Sequence, residues 1–225
     1  NIVKDYTEKN MPAVNNNFNK CLKIIMLIIA PLAIYMSCMS TSVWSVFYGY
    51  NTIGAKIIKY TIIVTIFDCM YMVINSLLQS LNKSKIIYLS VLLGLATNLI
   101  LDIPLMYLFN YLGIVAYYGA ITATLIGFLI SNIISMIHLK NTMNLNYQDT
   151  LKAVPRFLIS IIILILVLKT FNIILPTDSQ NRLIQLINLA ISGIVGTSIY
   201  LAINLKNIKS IMPDKLIKKL HLEKI

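Results

Sequence analysis

Six long apolar stretches dominate the sequence, at residues 22–40, 57–81, 86–109, 113–139, 154–171 and 183–203. A helix rises 1.5 Å per residue, so roughly 20 apolar residues cross the ~30 Å hydrocarbon core of a bilayer. The breaks between the stretches are short and carry turn chemistry: Tyr48-Gly49-Tyr50-Asn51, Asn82-Lys83-Ser84-Lys85, Asn110, a polar run at 140–150, and Leu175-Pro176-Thr177-Asp178. None is long enough for a separate soluble domain. A membrane barrel would show alternating strands of about ten residues, whereas these runs are continuous. Composition agrees: 58% of the 225 residues are hydrophobic and 12% charged, against about 25% charged in a soluble domain. Mean hydropathy is +0.78. The expected fold class is all-α, a polytopic bundle of six transmembrane helices over residues 22–203. A segment at 1–21 leads into it and a basic tail at 204–225 follows.

A net charge of +11 would suggest nucleic acid in a soluble protein. Here the cations fall between the apolar runs rather than in one patch, as expected of membrane-span ends. Of the nineteen Lys and Arg, Lys56, Lys59, Lys169 and Arg182 lie on one side of the expected membrane and fifteen on the other. The positive-inside bias therefore places both termini in the cytoplasm, in agreement with an even number of spans. Trp44, Phe47, Tyr48 and Tyr50, with Tyr107, Phe109, Tyr111, Tyr117 and Tyr118, flank the two outer breaks. Such rings prefer the membrane–water boundary, having one apolar end and one that hydrogen-bonds. The chain opens with Asn1 rather than Met, and no basic–apolar–cleavage pattern begins it. No signal peptide is read, and a piece of a longer protein is expected.

Two acids lie within the apolar runs, although an ionisable group at mid-bilayer costs about 2.5–3.5 kcal/mol on insertion scales. Asp68 is central in the second span and shares a helical face with Thr61, Thr65, Met72, Asn75 and Gln79. The third span carries Ser90, Gly94, Asn98 and Asp102 at steps of four, and Pro104 follows, where a kink is expected. These stripes either face a water-accessible cavity, where they meet substrate, cation or proton, or form interhelical hydrogen bonds. For Asp68 the cavity is preferred. Asp102, nearer the outer boundary, fits both readings equally. Asn75 and Asn98 are explained at least as well by interhelical bonds. Lys56 and Lys59 open the second span; snorkelling explains them more simply than binding of an anionic headgroup.

Gly119, Ala123, Gly127 and Ser131 in the fourth span, and Ser192, Gly193, Gly196 and Thr197 in the sixth, allow close helix approach. Cys21, Cys38 and Cys69 read as small apolar side chains. His138 and His221 have no companion ligands at metal spacing. No nucleophile–base pair, phosphate loop or dinucleotide fingerprint is present, so no catalytic residue, metal or cofactor is expected. The tail at 207–225 alternates Lys with Ile and Leu, as an interfacial helix on anionic lipid would.

The order of several short motifs resembles the multidrug/oligosaccharidyl-lipid/polysaccharide flippase superfamily. They are Ala30-Pro31-Leu32-Ala33, Val46-Phe47-Tyr48-Gly49 with Gly54-Ala55, and Leu77-Leu78-Gln79-Ser80-Leu81-Asn82-Lys83, where Asn82 replaces the family's Gly. Gly113-Ile114 followed by Tyr118-Gly119-Ala120-Ile121-Thr122-Ala123-Thr124 completes the series. The chain is most similar in character to the branch holding the stage V sporulation protein B, polysaccharide exporter and lipid II flippase families. The resemblance implies the last six of about fourteen spans, in one lobe of a two-lobed transporter that alternates between inward- and outward-facing states.

The leading functional expectation is a flippase for a lipid-linked oligosaccharide or peptidoglycan precursor in the bacterial cytoplasmic membrane. Asp68, Asn75, Gln79, Asn98, Asp102, Lys56 and Lys59 are the candidate pathway residues. A multidrug or organic-cation antiporter is the alternative, suited to the two acids. A non-catalytic scaffold recruiting cell-wall synthesis enzymes is a third reading. The expected partners are the lipid-linked saccharide, membrane lipids and N-terminal spans of the same protein, with no nucleic acid.

Overall fold

A computed structural model of the protein describes residues 2–174 and 181–212, and the described residues are helical throughout apart from turns. The helices are α1 (Ile2–Thr7), α2 (Met11–Ile24), α3 (Ala30–Cys38), α4 (Ser40–Tyr48), α5 (Thr52–Ser80), α6 (Ser84–Tyr111), α7 (Tyr117–Met143), α8 (Gln148–Ile174), α9 (Arg182–Ile203) and α10 (Leu205–Ile211). A π-helical turn, Ile25–Ile29, joins α2 to α3. Among the described residues six helical segments are long and apolar enough to cross a membrane: Met11–Cys38, Thr52–Ser80, Ser84–Tyr111, Tyr117–Met143, Gln148–Ile174 and Arg182–Ile203. The Leu175-Pro176-Thr177-Asp178 break and most of the tail, His221 included, lie outside the described residues.

The spans match the apolar runs in number and order, but their ends differ. The first rod begins at Met11, where Asn15, Asn16, Asn17, Asn19 and Lys20 interrupt the apolar run. The helix persists because Val14, Phe18 and Leu22, one every fourth residue, are buried. The fourth begins at Tyr117 rather than 113, because Gly113 is left-handed (φ 72°) and serves the preceding helix as its cap. Pro104 lies inside α6, which continues to Tyr111.

The chain forms two compact units. The first comprises residues 1–22 and 64–147, with a core of Val14, Phe18, Leu22, Ile74, Leu77, Leu78, Leu81, Leu139, Met143 and Leu145. The connection after α7 is tied to α2: Asn19 Nδ2 donates to the Asn146 carbonyl (2.8 Å) and Asn146 N–H to Asn15 Oδ1 (2.9 Å). The second comprises residues 23–63 and 148–225 and packs Met39, Val43, Ala153, Phe157, Leu164, Leu168 and Tyr200 together. Trp44 packs so closely on Gly54 that a Cβ there would collide with the indole.

Candidate functional site

The polar stripe of the third span meets the small-residue row of the fourth. Ser131 Oγ donates to the Ser90 carbonyl at 2.9 Å. A Cβ on Gly94 would strike Ser131 Oγ, and one on Gly127 would sit 2.8 Å from the Gly94 carbonyl. Asn98 Nδ2 donates to Thr124 Oγ1 (3.0 Å), which donates to the Ala120 carbonyl (3.0 Å). The small side chains bring two backbones together, and the hydroxyls and amide then satisfy one another across the seam.

Beside this seam, within the first unit, is a largely apolar groove of about 240 Å³ bordered by Tyr71, Leu95, Asn98, Thr124 and Phe128. The Tyr71 ring meets Phe128 edge-on, centroids 6.1 Å apart. Asn98 alone of the candidate residues borders the groove. Asp68 and Asp102 belong to the same unit and are partly exposed. Neither has a hydrogen-bond or ion-pair partner among the described residues. Gln79 is exposed near the end of α5. Lys56 and Lys59 are exposed in the second unit, where Lys59 Nζ lies 5.7 Å from the Tyr60 ring centre. Its carbonyl accepts from Ser37 Oγ at 2.6 Å.

Asn75 belongs to a larger set than its stripe suggested. Tyr71 Oη and Asn75 Oδ1 on α5, with Asn132 Oδ1, Ser135 Oγ and His138 Nε2 on α7, are buried without a hydrogen-bond partner among the described residues. Asn132 is 3% and Ser135 0% exposed, and Asn132 Nδ2 donates to the Phe67 carbonyl at 2.9 Å. An unmet buried polar group costs about 1–3 kcal/mol. Of these residues Tyr71 alone borders the groove. Tyr71, Asn132 and Ser135 were not singled out in the sequence, although Asn132 and Ser135 lie within one helical turn of each other and could have been found by that spacing. A basic recess in the second unit was missed too, because its cations were read one by one as topology markers.

No family model matches the sequence, and no solved structure matches it. Among curated proteins it is similar to the lipid II flippase MurJ of Bacillus subtilis (strain 168), with 25% identity over 207 residues, covering 89% of this chain. The chain spans 37% of that relative's length. The all-helical fold with six candidate spans identifies a multi-pass membrane protein. This bears out the resemblance at the level of distant homology: the chain is distantly homologous to a lipid II flippase, and that relative belongs to the multidrug/oligosaccharidyl-lipid/polysaccharide superfamily.

Proposed function

We propose that the protein acts in a flippase that carries a lipid-linked saccharide, such as a peptidoglycan precursor, across the bacterial cytoplasmic membrane by alternating access. The observation that carries this reading is the similarity to a lipid II flippase over 89% of the chain. It is supported by polar groups on α5 and α7 that are buried without a hydrogen-bond partner among the described residues. Moving a charged, sugar-bearing headgroup through hydrocarbon is opposed by its desolvation, and a polar lining offsets that cost by replacing lost water hydrogen bonds. The lipid tail stays in the bilayer, and no bond is made or broken.

In this reading Asp68, Asn75, Gln79, Asn98 and Asp102 line the path, and Lys56 and Lys59 meet anionic headgroups at its outer end. Both termini face the cytoplasm, and further spans of a longer protein complete the second lobe. The working partners are the lipid-linked cargo and the surrounding lipids, with cell-wall synthesis enzymes as neighbours. Depleting the protein should trap precursor in the inner leaflet, read as loss of its exposure to an outer-leaflet enzyme. Undiminished exposure would overturn the proposal.

A second reading is favoured by Asp68 and Asp102, which have no cationic partner among the described residues. Unpaired carboxylates at membrane depth suit an organic cation exchanged for protons or sodium. Asp68→Asn would then abolish drug resistance conferred by the protein, whereas a saccharide flippase would leave drug sensitivity unchanged.

A further inference from the structure

Residues of α2, α8, α9 and α10 that belong to the second unit frame an open recess of about 690 Å³. Lys23 lies in the last turn of α2, just before the π turn that carries the rod on to Cys38, Lys152 and Arg156 on successive turns at the start of α8, and Lys206 at the start of α10. The single carboxylate in the lining is Asp149. None of the four cations forms an ion pair among the described residues, where the one ion pair is the exposed Lys4–Glu8. The recess also has a built polar wall. Asn207, 7% exposed, donates to Asn204 Oδ1 at 3.0 Å, and its carbonyl accepts from Ser210 Oγ at 2.7 Å.

Topology alone requires basic residues at span ends, but it does not require four of them, from three helices, to converge with one acid. Like charges so placed repel unless an anion sits among them. Two features identify the anion's source. First, α8 has 27 residues and is about 40 Å long at 1.5 Å per residue, against a ~30 Å hydrocarbon core. Its first turns, with Lys152 and Arg156, therefore project into the headgroup layer. Second, the recess opens onto apolar surface: Ile159 lines it, and Ile159, Ile162 and Leu166, all more than half exposed, continue along α8 at helical spacing. A soluble phosphate has no use for that surface, whereas acyl chains lie along it.

We propose that this recess is a binding site for an anionic phospholipid. Its phosphodiester is held by Lys23, Lys152, Arg156 and Lys206, and its acyl chains lie against the Ile159–Ile162–Leu166 face of α8. Arg156 offers the planar fork that grips two phosphate oxygens, and the lysines act as point charges around it. None of the candidate transport residues lines it.

The test uses the purified full-length protein in neutral detergent, titrated with phosphatidylglycerol, phosphatidylcholine or inorganic phosphate while its melting temperature is followed. Phosphatidylglycerol should raise Tm, and the other two at equal concentration should not. Lys152→Gln, Arg156→Gln and Lys206→Gln should each weaken the phosphatidylglycerol effect by roughly fivefold, the contribution expected of one cation near a membrane surface. Lys140→Gln, outside the recess, should leave it unchanged. A photoactivatable phosphatidylglycerol should label residues 148–162 or 203–211 of the unaltered protein, a readout independent of how the variants fold. Equal titrations for wild type and recess variants would overturn the site, as would labelling confined elsewhere. A matching effect of inorganic phosphate or phosphatidylcholine would overturn the assignment to an anionic lipid. Because binding is read rather than transport, failure here leaves the flippase proposal standing, and the converse holds.

Discussion

At the scale of single residues, Asn82 shows how a departure from a family pattern can preserve its physics. It stands where the flippase motif that this stretch resembles has glycine, and it adopts the left-handed conformation (φ 55°) that such a position demands. Lys83 N–H donates to the Leu78 carbonyl (2.9 Å) and Asn82 N–H to that of Gln79 (3.0 Å), the paired bonds of a Schellman cap. The end of α6 is built the same way, with Ile114 N–H to Phe109 and Gly113 N–H to Asn110. Asn tolerates this region through its short polar side chain, so the turn survives. Asn82→Gly should match or slightly raise thermal stability in detergent, whereas Asn82→Val should lower it by about 1–2 kcal/mol. Sequence inspection could see the missing glycine but not the φ angle that makes it harmless. Tyr147 makes a second residue-scale case. Its hydroxyl donates to the Met136 carbonyl at 2.8 Å, and burial pushes the phenol up to about 12. A folded pKa above the ordinary value near 10 means that, as pH rises from 10 to 12, the unfolded chain releases this proton and the folded chain keeps it. Stability present below pH 10 should therefore decline through that window. Melting curves from pH 9 to 12 should show a shallower decline for Tyr147→Phe than for the unaltered protein.

Helices and their contacts make up the next scale, where apolar runs reported which segments cross and where they sit in order. They under-reported the first rod, because α2 is held by a buried stripe rather than by a continuous run. They also said nothing of the π turn before Pro31. In that turn Ala30 N–H reaches back five residues to the Ile25 carbonyl. The next bond in the same register would run from residue 31 to Met26, but proline has no N–H to give. Tyr200, 1% exposed, supplies the donor instead, its hydroxyl lying 2.8 Å from the Met26 carbonyl. A tyrosine far along the chain thus completes a backbone irregularity that a local reading could not pair with it. Tyr200→Phe should cost about 1–3 kcal/mol by leaving that carbonyl unmet, and should lower the melting temperature in detergent. The contact between α6 and α7 was more legible, because small residues every fourth position, Gly119, Ala123, Gly127 and Ser131, signal close approach. Gly127→Ala would press a methyl against the Gly94 carbonyl, a backbone atom that cannot rotate away. It should destabilise by about 1–3 kcal/mol, whereas Gly193→Ala, whose Cβ meets only the Tyr35 side chain at 3.3 Å, should be milder.

For the whole molecule, the charge distribution and the polar stripes carry different amounts of information. A stripe's period says which residues share a face but not what that face meets. Ser90, Gly94 and Asn98 turned out to meet α7, while Asp68 and Asp102 kept no partner among the described residues. The basic recess was illegible for a related reason, since charges distant in sequence converge only after the spans are packed. Orientation is a sum over all the loops, and that sum can be tested directly. With fifteen of nineteen cations on one side, the proposed orientation puts the Asn82–Lys83 turn inside the cell and the Leu112–Gly113 turn outside. Both turns are exposed, and each follows the end of a spanning helix, so a single cysteine at either should be reactive wherever a reagent can reach it. In a background lacking Cys21, Cys38 and Cys69, a membrane-impermeant maleimide should label Leu112→Cys in intact cells. Lys83→Cys should be labelled to a comparable extent only after the membrane is opened. The two positions lie at opposite ends of α6 and must report opposite sides if that helix spans. The inverse pattern would reject the positive-inside assignment while keeping the spans, and labelling of both from outside would reject α6 as a spanning helix.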